Sequence, residues 1–181
     1  MNTRKTLNVA FAGLLTLGSG LAAAQDPSEQ FYRWTEVSGT GIHYFDNSML
    51  HAEEEIPRGV RKYVTETVEL FGDLNGRVLY QPVSSFYLDE GKLVNRGNQV
   101  FSGTVLGVGP VMLHDDAFRF EVDLETGATS GRVFLMNRIA GPMVRCRLDI
   151  VGTGMTPEGN GLAEYTGQCR MFPDENPVNR W

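Results

Sequence analysis

Val144-Arg145-Cys146-Arg147-Leu148-Asp149-Ile150 alternates apolar and charged residues without a slip, and Ala163-Glu164-Tyr165-Thr166-Gly167-Gln168-Cys169-Arg170-Met171 repeats the pattern a short way downstream. Successive side chains of a β-strand point to opposite faces, so each run reads as a strand with one face turned to a core and the other to water. The Pro157 to Gly161 region between them is rich in turn formers and closes the pair into an antiparallel hairpin. Setting Cys146 opposite Cys169 also sets Val144 opposite Met171, Leu148 opposite Gly167 and Ile150 opposite Tyr165, all on one face. Directly opposed residues of a non-hydrogen-bonded pair have Cα atoms about 4.5 Å apart, within reach of a disulfide.

The same signature extends upstream. Phe118, Phe120 and Val122 alternate with Arg119, Glu121 and Asp123, and short period-two runs predict strands near 37–45, 60–71, 77–88, 93–106, 111–123, 129–137, 143–151 and 162–171. Between them lie Gly72-Asp73-Leu74-Asn75-Gly76, Asp89-Glu90-Gly91-Lys92, Glu125-Thr126-Gly127 and Gly159-Asn160-Gly161, residues that tolerate the positive φ of tight turns. Residues 46–59, with Glu53-Glu54-Glu55 ahead of Ile56-Pro57, read as a short helix or a solvated loop. About eight short strands with one apolar and one charged face predict an all-β, antiparallel closed β-barrel, which leaves no exposed edges; a two-sheet β-sandwich is the alternative.

The N-terminus carries Arg4 and Lys5, an apolar run from Val9 to Leu21, and Ala22-Ala23-Ala24. That order is the pattern of a secretory signal peptide, and the run is shorter than the roughly twenty residues a membrane-spanning helix needs. Cleavage after Ala24 gives a mature chain from Gln25 to Trp181, the size of a single domain. It keeps fourteen of the sixteen basic residues and all twenty-two acidic ones, a formal charge of −8. So acidic a chain does not suit nucleic acid, whose phosphates call for a basic stripe. An even number of cysteines in an exported chain, here only Cys146 and Cys169, favours a disulfide between them.

The succession of Gly72 to Gly76, Gln99-Val100-Phe101-Ser102-Gly103-Thr104, Phe118 to Gly127, Val151-Gly152-Thr153-Gly154 and Tyr165-Thr166-Gly167 resembles the allene oxide cyclase-like barrels, the group that includes the dirigent proteins. The resemblance spans about residues 60–171. It implies a closed barrel and a cyclase or isomerase chemistry that needs no cofactor, but no catalytic residue of that group maps onto a motif here.

Other chemistry finds little support. His43, His51 and His114, with Glu53 to Glu55, hold metal-binding atoms, yet no pair has the spacing of a local chelate, and a solvated acidic loop explains the glutamates. There is no Gly-x-Ser-x-Gly elbow, and the glycines from 103 to 109 lack the lysine and helix of a phosphate loop. What remains is the apolar face: Phe118, Phe120, Val122, Leu148, Ile150 and Tyr165 either fill a core or line a barrel cavity that binds a small apolar or aromatic molecule, with the Tyr165 hydroxyl as polar handle. An isomerase site would require a carboxylate turned inward, and the pattern does not say which of Glu66 and Glu69 faces the interior. A small outer-membrane barrel would present the apolar face to lipid. Several of the predicted strands are too short to span, and Pro173 and Pro177 interrupt the tail where a closing strand would run. A structural protein of the envelope would leave no distinguishing mark on the sequence.

Overall fold

The computed structural model describes residues 33–172; the expected signal segment and cleavage point and the tail from 173 onward lie outside the described residues. Ten strands follow one another: β1 (Thr35–Ile56), β2 (Gly59–Gly72), β3 (Leu74–Tyr87), β4 (Lys92–Val105), β5 (Val108–Asp115), β6 (Arg119–Asp123), β7 (Thr129–Leu135), β8 (Asn137–Ala140), β9 (Val144–Met155) and β10 (Gly161–Met171). Eight of them close a barrel in the order β3, β2, β1, β10, β9, β7, β6, β4 and back to β3, every pairing antiparallel. Strands β5 and β8 lie outside the ring. β4 makes this possible by changing partners along its length: Lys92 to Arg96 pairs with β6 inside the barrel, and Gln99 to Val105 pairs with β5.

The final hairpin has the predicted register, with Cys146 opposite Cys169, Leu148 opposite Gly167, Ile150 opposite Tyr165 and Val144 opposite Met171. Cys146 and Cys169 form a disulfide, and both are buried among apolar side chains. Around them sits a fully packed end of the barrel, containing Leu74, Phe101, Val105, Leu113, Leu135 and Val144. Tyr165 crosses this end. Its hydroxyl accepts the Leu74 N–H at 2.7 Å and shares its own proton between the Phe71 and Leu74 carbonyls at 3.3 and 3.2 Å. The phenol can lie there because residue 39 is glycine; any Cβ at that position would overlap the Tyr165 ring and the Phe71 carbonyl.

Three expectations about the strands are corrected. Residues 46–59 form neither a helix nor a solvated loop: 46–56 are the second half of β1, with Met49 to Ile56 paired against Gly59 to Thr65, and the chain turns at 57–58. Their charges explain the strand: Glu53 lies opposite Lys62 and Glu54 opposite Arg61, with ion pairs at 3.2 and 3.1 Å. Pro57 sets the turn and Arg58 takes φ 74°. The single strand expected over 111–123 is two. Asp115 breaks it by folding its carboxylate back onto the Ala117 N–H, and the chain passes from β5 outside the ring to β6 within it. The strand expected over 129–137 similarly ends at Leu135, and β8 begins at Asn137.

Candidate functional site

At the end opposite the disulfide the inward side chains thin out. Along β9 the inward series runs Cys146, Leu148, Ile150 and then Gly152 and Gly154; β1 contributes Gly41 and β10 begins at Gly161. The missing side chains leave a cavity of about 400 Å³ that opens between Phe45, Gly127, Gly154 and Met155. Its walls are Val68, Leu70, Val78, Leu93, Phe120, Val122, Val133, Leu135, Leu148 and Ile150, and Tyr165 forms part of its lining. The space is large enough for one small organic molecule and almost wholly apolar.

Four of the six aliphatic and aromatic residues singled out from sequence, Phe120, Val122, Leu148 and Ile150, line this cavity as plain apolar wall. Tyr165 lines it too, but its hydroxyl is spent on Leu74 and Phe71 at the packed end and is no handle for a ligand. Phe118 is buried behind the wall, its ring 4.8 Å from that of Tyr80. Phe120 lies over Gly131 on the neighbouring strand, filling the space that a side chain there would have taken.

The polar groups of the site come from residues that the alternation alone did not single out. His43, on the inward face of β1 between Gly41 and Phe45, places Nε2 2.9 Å from Glu66 Oε2. Glu66 is the inward carboxylate of β2, and its other oxygen accepts the Ser48 hydroxyl at 3.1 Å. Glu69 points outward to Arg77 and the Tyr44 hydroxyl. Tyr80 sits directly across from Glu66, almost wholly buried, with the His43 ring edge-on at 5.6 Å. Burial above all, and then the Glu66 charge, push its hydroxyl far above the ordinary tyrosine range; a hydrogen bond from the Asn95 side chain offsets part of this. Asn95 Oδ1 is buried and has no hydrogen-bond partner. Deeper in, Gln99 donates to Asp115, which also accepts the Phe134 N–H and so ties β4, β5 and β7 together.

His51 and His114 are elsewhere, bonded to Thr65 and Asn98. A second concavity, outside the barrel, is lined by Arg61, Lys92, Arg96 and Arg119, but Arg61 is paired with Glu54, and Lys92 and Arg119 with Glu121. No family model, curated protein or solved structure matches the chain.

Proposed function

We propose that this is an exported β-barrel protein that holds a small apolar or aromatic molecule inside its barrel. The observation that carries the reading is the open, apolar cavity of about 400 Å³ at the glycine-lined end. Export is supported by the disulfide and by the leader-like start of the sequence. A soluble barrel is favoured over a lipid-embedded one by the exterior: Arg145, Arg147 and Asp149 are exposed on β9, where a membrane barrel carries an apolar band, and β6 has only five residues. The test is titration with pyrene, a neutral probe whose emission spectrum reports the polarity around it. Saturable binding with an apolar signature is expected, and absence of binding would remove the reading.

The inward His43–Glu66 pair favours a second reading, in line with the resemblance to the cofactor-free cyclase barrels. Glu66 holds the Nε2 side of the imidazole, so Nδ1 is left as the basic nitrogen. It would take a proton from carbon beside a ligand carbonyl and return it to a different carbon, an isomerisation with no net redox change. Conversion of cyclohex-3-enone to cyclohex-2-enone, followed by absorbance and lost in His43→Gln, is the expected outcome. A rate no greater than buffer would leave the binding reading alone in place.

A further inference from the structure

We infer that the outer face of the barrel carries a binding site for a small phosphate-type dianion, held between Arg96 and Arg119 in the concavity on β2, β3, β4 and β6 and separate from the apolar cavity.

The strand register carries the inference. Pairing sets Arg96 of β4 directly opposite Arg119 of β6, and Arg119 directly opposite Arg132 of β7. All three turn outward, since the alternating residues Asn95, Phe120 and Val133 line the cavity inside. Like charges directly opposite on neighbouring strands repel and cost stability, so such a row favours anions beside it. Protein carboxylates meet that need for two of the three. Arg119 binds Glu121, and Arg132 lies 3.2 Å from Asp149. Among the described residues Arg96 is paired with no carboxylate, and Glu121 is already shared with Lys92 at 2.7 Å.

The concavity has room for the missing anion. It measures about 380 Å³, and its charged members are Arg61, Glu90, Lys92, Arg96 and Arg119, with Val83, Val94, Tyr87 and the buried Ser85 completing its lining. Glu54 offsets Arg61 at 3.1 Å, and Arg58 lies against both Asp89 and Glu90, 2.6 and 2.9 Å away. Asp123 stands opposite Lys92. The two signs balance over the face as a whole but are separated along it. Asp89, Glu90 and Asp123 gather at the Lys92 end, whereas Arg96 is four residues further along the strand, about 13 Å away. There two guanidinium groups stand side by side with only Oε1 of Glu121, already bound to Arg119, to offset them. Their planar forks suit the paired oxygens of a phosphate, and two together favour a dianion over a monoanion. The formal charge of −8 expected of the mature chain opposes a long polyanion, which leaves one small ligand.

Inorganic phosphate tests this by calorimetric titration of the mature protein at about pH 8, where it is mainly a dianion, against chloride at equal ionic strength. Saturable binding with a Kd on the order of 1 mM is expected, and about 20 mM phosphate should raise the melting temperature by about 3–6 °C. Arg96→Gln should weaken binding at least about fivefold and remove most of that rise. Without phosphate the same variant should melt no lower than the native protein, because it relieves the row of like charges. Phosphate also stabilises proteins by exclusion from their surfaces, so Arg138→Gln, on β8 and outside the concavity, is the reference and should keep the native rise. No binding above chloride, or a rise that Arg96→Gln keeps in full, overturns the proposal. An equal loss in Arg138→Gln overturns it too. Pyrene affinity, which reads the cavity, should not move with phosphate, so the two sites stand or fail separately.

Discussion

The two ends of the barrel are built from the same strands and do opposite things. At the disulfide end the interior is filled, with the Tyr165 ring occupying the space left at Gly39, and Leu74, Phe101, Val105, Val144 and Cys146 are 0% exposed. At the other end the inward positions pass to glycine, while Phe45 and Met155 at the rim are 44% and 57% exposed. An eight-stranded barrel is just wide enough for its own side chains or for one small ligand. This one divides its length between a packed interior and an open cavity. The packed end supplies stability, and the open end can then be left unfilled without losing the fold.

If that division is real, the largest loss of stability comes from cutting the packed end. Replacing Cys146 and Cys169 with alanine releases a loop of 23 residues' separation, which the chain-entropy view values at about 3 kcal/mol. The melting temperature should fall by roughly 6–12 °C, taking about 2–4 °C per kcal/mol at this size. Pyrene affinity should stay within about twofold, because the bridge lies away from the cavity and only the partition of bound states would report it. A large loss of affinity measured well below the melting temperature would show that the two ends are coupled.

Tyr165→Phe probes the same end more gently. It keeps the ring and removes the hydroxyl, leaving the buried Leu74 N–H without its acceptor. A destabilisation of about 1–3 kcal/mol is expected in urea unfolding, with an unchanged denaturant slope. A neutral result would mean that the crossing phenol is only filler.

Much of this architecture is legible in the residues, and unevenly so. The hairpin from Val144 to Met171 can be read in register because strict alternation and two cysteines constrain it together. β1 beyond Tyr44 is harder, since Met49 to Glu55 is exposed and has no buried face to set a period; its signal is the mirrored charge of Glu53 and Glu54 against Lys62 and Arg61 across Pro57-Arg58. The break at Asp115 is an Asx turn, marked in the residues only by the polar His114-Asp115-Asp116 and a slip of phase from Val111 and Leu113 to Phe118, Phe120 and Val122. In the site, the apolar wall follows from alternation, but its polar members do not. Strand β2 offers Glu66 with Val68 and Leu70 on one face and Tyr63, Thr67 and Phe71 on the other, and neither set is clearly the core. Only the closure of the barrel brings Glu66 of β2, His43 of β1 and Asn95 of β4 around Tyr80.

The open end should respond in the reverse manner, losing binding with little loss of stability. Ile150→Trp places a larger side chain into the cavity, where there is free volume to receive it. Pyrene affinity should fall at least about tenfold, while unfolding stability changes by less than about 1.5 kcal/mol, as overpacking costs little where space exists. Loss of several kcal/mol would mean that the wall is as tightly packed as the disulfide end.

The smallest effect is a pH response that differs between the ends. At the open end, the turn after β6 is held by Asp123, whose carboxylate accepts the N–H groups of Thr126 at 2.8 Å and Glu125 at 2.9 Å. The bonds from Thr126, chiefly its backbone N–H, followed by that from Glu125, hold this carboxyl below the ordinary aspartate range. A depressed carboxyl contributes its stabilisation above the unfolded pKa, near 3.9, and loses it as pH falls through the lower folded value. The matching bond at the packed end runs from Leu74 N–H to the Tyr165 hydroxyl, and burial foremost raises that phenol above the usual tyrosine range. A raised acid is stabilising below its unfolded pKa, near 10, and the benefit is lost as pH climbs through the folded value. Acid should therefore loosen the turn at 123–128 and leave the Tyr165 bond intact, and alkali should weaken that bond without touching Asp123. Hydrogen-exchange protection factors, corrected for intrinsic rates, should fall for Glu125 and Thr126 below about pH 4 while that of Leu74 holds. Asp123→Asn should remove the acid response at the turn. Parallel loss of protection at Leu74 would show that acid opens the whole barrel at once and that its ends are not separable.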